Sequence, residues 1–111
     1  MWDVIEHVAD PVQLLSHIAS CLVPGGVVAI KTPNLDCPEA EIFGPYYHSL
    51  KREHLVYFTP RSLDDAARDA GLRTTLVSSA SHLLVGFVGA AQTSSWEESG
   101  RGADIAAYFR R

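Results

Sequence analysis

Two cysteines, Cys21 and Cys37, are all that the 111 residues carry. They are too few for a disulfide framework, and no C-x-x-C or Cys/His metal spacing surrounds them. Reduced thiols in a cytoplasm follow. No apolar run approaches the roughly 20 residues that span a bilayer. The N-terminal Met-Trp-Asp-Val-Ile-Glu-His lacks the basic and apolar regions of a secretory leader. The expectation is a cytoplasmic chain with no membrane partner. Positive charge is also scarce: Lys and Arg total 9 against 13 Asp and Glu, a net charge of −4. That balance argues against the broad basic face of a general nucleic-acid binder, so no nucleic-acid partner is expected. Lys51-Arg52, a dense basic spot, reads as a solvated loop. No internal repeat or low-complexity segment is present. The length fits one domain able to bury only about 60–65% of its unfolded surface.

What is there reads as alternating helices and strands. Met1–Ile5 is short, apolar and aromatic, as the last residues of a strand would be. Asp10 is placed to cap a helix with Pro11 at its first position, where the missing N–H costs nothing, and with Gln13 at the third. Val12, Leu15, Ile18, Ala19 and Leu22 form one apolar stripe at helical spacing. Pro24-Gly25-Gly26 stops that helix. Val27–Ile30 does not alternate, which predicts a strand covered on both faces. Leu35–Arg52 is a long irregular connection. Thr59-Pro60 opens a second helix with Leu63, Ala66, Ala67 and Ala70 buried, and Gly71 ends it. Leu72–Ser78 and Leu83–Ala90 read as an antiparallel strand pair with His82 in the turn, and His17 reads as surface. Residues 92–111 read as a polar tail in which Ala103–Arg111 forms a short helix with Ile105, Tyr108 and Phe109 on one side. The order predicts an α/β fold whose first helix and strand are the second half of a βαβ unit. Open parallel sheets carry their chemistry at the carboxyl ends of strands, which directs attention to Trp2–Val8 and Lys31–Asn34.

Asp3, Glu6 and His7 are the sharpest chemical set. At spacings i, i+3 and i+4 they share a face of any helical turn. Two carboxylates and an imidazole suit a divalent ion such as Mg2+ or Mn2+, with His48 or His54 from the long connection as a fourth ligand. The alternative is structural: Glu6 accepts from nearby backbone donors and His7 packs under the loop. His7 or His54 is also a candidate general base, since imidazole titrates near working pH.

Three stretches in order carry a likeness: Asp3-Val4-Ile5-Glu6-His7-Val8-Ala9-Asp10-Pro11, Leu22-Val23-Pro24-Gly25-Gly26 and Thr32-Pro33-Asn34. They resemble the C-terminal half of class I S-adenosylmethionine-dependent methyltransferases, in the branch of ubiquinone-type O-methyltransferases. His54–Leu63 followed by Ala70-Gly71-Leu72 resembles that branch's next segment. The likeness covers about residues 1 to 91 and begins at the end of the family's fourth strand. It implies a partial Rossmann-like sheet, the fourth to seventh strands with two covering helices. The family's glycine-rich cofactor loop has no counterpart here, because no G-x-G-x-G run exists in the chain.

The resemblance implies S-adenosylmethionine as cofactor of the parent enzyme, with Trp2 near its adenine and Asp3 and Glu6 beside it. It also implies that some relatives, including small-RNA 2′-O-methyltransferases, hold a metal through E-x-x-E-H at this place, Asp3 standing for the first Glu. Thr32 and Asn34 would then end a strand beside the acceptor, and Tyr46, Tyr47 and Tyr57 would wall a small-molecule acceptor site. The expected function is a methyltransferase fragment, inactive by itself. The alternative is a non-catalytic, self-associating α/β module, because half a sheet exposes an edge and an apolar face. A homodimer or domain-swapped oligomer is expected on the same ground.

Overall fold

The computed structural model describes residues 1–81 and 88–111. Helix starts follow their capping chemistry. Asp10 Oδ1 accepts from Gln13 N at 2.9 Å and opens α1, Pro11–Cys21. Thr59 and Ser62 exchange side-chain and backbone bonds in a capping box at the start of α3, Pro60–Asp69. Both helices carry Pro at the first turn, where no helical partner is lost. Gly25 and Gly71 adopt φ of +79° and +78° where the chain leaves each helix, a conformation that costs glycine little.

Three strands, β1 (Val27–Pro33), β2 (Arg73–Ala80) and β3 (Asp104–Arg110), form a sheet in the order β1-β3-β2. β3 lies antiparallel to both neighbours. Ahead of the sheet, Trp2 bridges Lys31 in parallel, and Met1 and Asp3 exchange backbone bonds with Lys31 of 2.9 and 3.0 Å. The N-terminal residues are therefore a strand end laid beside β1, as their composition implied. Ile5, Leu15, Ile30, Leu63, Ile105 and Phe109 meet in the core between the sheet and helices α1 and α3. Each such side chain contributes about 1.5–3 kcal/mol on full burial.

Four expectations change. Ala103–Arg111 is not a helix; it is the middle strand, with Ile105, Ala107 and Phe109 buried in alternation. A central position between two strands satisfies both edges of its backbone, and that tertiary gain outweighs the helix propensity of its alanines. β2 pairs with β3; most of the strand expected at 83–90 falls on residues 82–87, which lie outside the described set, and Ala90 begins helix α4, Ala90–Glu98. β1 is buried on one face and half-buried along most of the other. Val28, Ile30 and Thr32 are buried, whereas Val27 stays 45% exposed. The long connection also holds a short helix, α2 (Pro38–Phe43), capped by Cys37 Sγ accepting from Ala40 N.

Candidate active site

A single 3-10 turn, Ile5–His7, begins the site. Ile5 is fully buried and pins the turn to the core, which directs Glu6 inward beneath the carboxyl end of β1. The Glu6 carbonyl accepts from Leu55 N at 2.7 Å and Val56 N at 3.1 Å. Those two bonds bring the segment carrying His54 over the turn, although 46 or more residues separate them in sequence.

Glu6 is 2% exposed, and its Oε2 accepts from the Thr32 hydroxyl at 3.0 Å. Its other oxygen, Oε1, has no partner among the described residues, and neither has buried His54 Nδ1. Buried polar atoms are rarely left so. His7 Nδ1 lies 2.9 Å from the Glu53 carbonyl. A carbonyl only accepts, so Nδ1 donates, and in the neutral ring Nε2 keeps its lone pair. The His7 and His54 rings meet edge-on with centroids 4.7 Å apart. One ligand atom each from Glu6, His7 and His54 lies within 4.8 Å of the others.

Asp3 stands apart from this trio. Its backbone holds φ +49°, and its carboxylate meets the Lys31 ammonium at 3.2 Å. Lys31 also reaches Asp104 at 3.2 Å. Burial pulls the Lys31 pKa down, but the bonds and charges of Asp3 and Asp104 together outweigh it and raise the group above its ordinary value. Around these groups opens a cleft of about 410 Å³. Glu6, His7, Lys31, His48, Lys51 and His54 are among its lining, and Pro33 is the one apolar residue of that lining among the described residues.

The remaining anticipated residues lie around the cleft and do not line it. Trp2 is 59% exposed, with its backbone on β1. Thr32 is buried and turned to Glu6. Asn34 is fully buried, and its amide donates to the carbonyls of Asp36, Gly100 and Gly102 at 3.2, 3.1 and 2.8 Å. Tyr47 is buried, its hydroxyl shared between the carbonyls of Asn34 and Ala103. Tyr46 is open to solvent, and the Tyr57 hydroxyl donates to the Lys51 carbonyl. The cleft's Lys31, Ser49, Lys51, Glu53 and Asp104 were not among the anticipated site residues. Of these only Lys31 carried a signal, its place at the end of a strand.

Among the described residues no helix is long and apolar enough to cross a membrane. The family described as a methyltransferase domain matches residues 1–77. The ubiquinone biosynthesis O-methyltransferase of Parvibaculum lavamentivorans (strain DS-1 / DSM 13023 / NCIMB 13966) is 37% identical over 82 residues, covering 64% of this chain and 31% of that protein. The chain therefore spans about a third of that relative's length. The crystal structure of the small RNA methyltransferase HEN1 matches with a TM-score of 0.64 at 18% identity, over 99% of this chain and 13% of that one. A putative methyltransferase in complex with the Haloferax volcanii Trm112 activator matches at 0.65 and 17%, over 98% of this chain and 50% of its own. At such identities the structures share a fold, the partial Rossmann-like α/β sheet.

Proposed function

This chain belongs to the methyltransferase-domain family, and from that premise we propose that it furnishes the acceptor side of a methyl transfer from S-adenosylmethionine. The observation that carries the reading is the convergence of Glu6, His7 and His54 beside the end of β1, with Glu6 Oε1 and His54 Nδ1 buried and unpartnered.

These donors fit a divalent ion. Two imidazoles beside one carboxylate favour Mn2+ or a similar borderline ion over Mg2+. When bound, such an ion supplies Lewis acidity toward an acceptor hydroxyl. The chain's own residues do the rest. Thr32 holds Glu6 Oε2 in place, and the Glu53 carbonyl holds His7 Nδ1, which leaves Nε2 as ligand or proton acceptor. Asp3, fastened by Lys31, sits at the rim of the cleft. A lining made mainly of polar and charged residues favours a small hydrophilic acceptor. An RNA acceptor, which the name of the HEN1 neighbour carries for that protein, is the competing class.

The cofactor is a different matter. Trp2 is exposed, Asp3 is held by Lys31 and Glu6 is turned to Thr32; in this reading these three would face the cofactor from the cleft's edge. No glycine-rich loop is in the chain to let a backbone approach it. The 111 residues alone are inert in this reading. The free thiols of Cys21 and Cys37 accord with a reducing, cytoplasmic setting.

Calorimetric titration with Mn2+, Mg2+ and S-adenosylhomocysteine tests the proposal. Expected are Mn2+ binding that His54→Ala abolishes and no heat from S-adenosylhomocysteine. Silence with Mn2+ at protein concentrations well above micromolar would remove the metal from the reading.

A second reading rests on the sheet face opposite the core, where Val27, Leu76 and Tyr108 are 45%, 56% and 37% exposed. A self-associating module, as a homodimer or domain-swapped oligomer, would cover that face. Light scattering across a concentration series decides it, and a monomer throughout eliminates it.

A further inference from the structure

Arg73 opens β2, Arg110 is the last residue of β3, and the ladder sets them directly opposite one another. Opposed residues hold their Cβ atoms about 4.5–5.5 Å apart, a distance at which like charges destabilise a sheet. The pleat decides which way they point. Phe109 is fully buried on the core face and pairs with Thr74, so Arg110 and Arg73, one residue along each strand, turn to the other face.

Neither guanidinium has a carboxylate within ion-pair reach among the described residues, whereas three other cations of the fold are paired. Lys31 has Asp3 and Asp104, Arg68 has Asp64 and Asp65, and Arg101 has Asp36 and Glu41. Asp64 also accepts from the Thr74 hydroxyl, which points to the core face and away from the two arginines.

A second feature falls at the same place. The ladder skips Thr75 between Thr74 and Leu76, a bulge of the kind that bends a strand and re-aims side chains. Arg73, Thr74, Thr75 and Arg110 line a hollow of about 310 Å³ there. The Thr75 hydroxyl already donates to the Tyr108 carbonyl at 2.7 Å, so the two guanidinium forks are the free donors of the hollow.

We propose that Arg73 and Arg110 form a clamp for the phosphate group of a small anion. Two planar forks offering parallel N–H donors match the oxygens of a phosphate, and its charge relieves the repulsion that the register imposes. The clamp sits where β1 begins, since Val27 flanks Arg110, four residues and about 13 Å from Lys31 in the cleft. It is thus an anchoring site, separate from the reacting groups.

The test uses the whole 111-residue chain with inorganic phosphate as probe, at constant ionic strength, by calorimetry and thermal shift. Arg73→Glu converts the repelling pair into a cross-strand ion pair, and Arg110→Gln removes one fork should the first change repack the strand. Phosphate is expected to bind the unaltered chain at least tenfold more tightly than either variant. Without phosphate, Arg73→Glu is expected to melt higher than the unaltered chain. A phosphate shift no larger than that of matched chloride, or equal affinity in all three proteins, overturns the clamp. Binding of a short oligonucleotide without binding of inorganic phosphate overturns it too, and assigns the arginines to a nucleic-acid backbone.

Discussion

The Thr32 hydroxyl donates to Glu6 Oε2 across 3.0 Å, joining the end of β1 to the 3-10 turn through two buried side chains. The bond orients the one carboxylate of the Glu6–His7–His54 cluster and leaves Oε1 without a partner among the described residues.

Replacing Thr32 by Val keeps the shape and removes the donor. Outer partners of a metal ligand typically contribute about 10- to 100-fold in affinity. Thr32→Val is therefore expected to weaken Mn2+ binding by that range, with Thr32→Ser close to the unaltered chain. Equal Mn2+ affinity in Thr32→Val and the parent would show that Glu6 needs no such support.

Asn34 carries a different load. Its amide donates to three carbonyls and its Oδ1 accepts from Asp36 N at 3.0 Å, tying the end of β1 to the turn between α4 and β3. Asn34→Asp is nearly isosteric but turns a carboxylate toward three carbonyl oxygens in a buried site. A loss of about 3 kcal/mol or more is expected in urea unfolding, since each buried group left unpaired costs about 1–3 kcal/mol. A loss under about 1 kcal/mol would mean that water reaches these carbonyls.

Gly102 is required by space. A Cβ there would stand 2.5 Å from Ala80 N and 2.8 Å from Ala80 C, so the β2 backbone itself would have to move. Gly102→Ala is expected to destabilise by about 2–3 kcal/mol. Gly25→Ala meets nothing within 4 Å and strains only its φ of +79°, for about 1 kcal/mol. Thermal melts of the two variants side by side check the order.

Alkaline pH should loosen the α2 region. Burial is the largest influence on both Cys37 and Tyr47, and it raises each above its ordinary value of 9.0 or 10.0. The folded chain holds these protons after the unfolded chain has released them. Their contribution is therefore complete below about pH 9 and lost as pH rises beyond it. Each group adds at most about 1.4 kcal/mol per pH unit to the decline. Lys31, also raised, adds to the same alkaline loss. Urea unfolding between pH 8 and 11 should show the fall, and Tyr47→Phe should flatten its upper part. A flat profile in the parent chain would contradict it.

Much of the framework was legible from local chemistry. Asp10-Pro11 and Thr59-Pro60 mark helix starts because capping is decided within four residues. Gly25 and Gly71 mark helix ends because only glycine takes their φ without strain. The likeness to methyltransferases rests on the order of such short stretches, and the family match covers residues 1–77. Ala103–Arg111 misleads because its apolar residues fit a helical face as well as a strand, and only the vacancy between β1 and β2 chooses the strand.

Sequence alone determined where the chain bends and which turn carries Glu6 and His7, since those follow from neighbours in the chain. Tertiary structure decided which groups meet. Lys31 draws Asp3 out of the cluster that its spacing implied, and the Glu6 carbonyl brings His54 into it through Leu55 and Val56. It also set Arg73 against Arg110. Contacts between residues tens of positions apart depend on strand order and register, which no local pattern encodes.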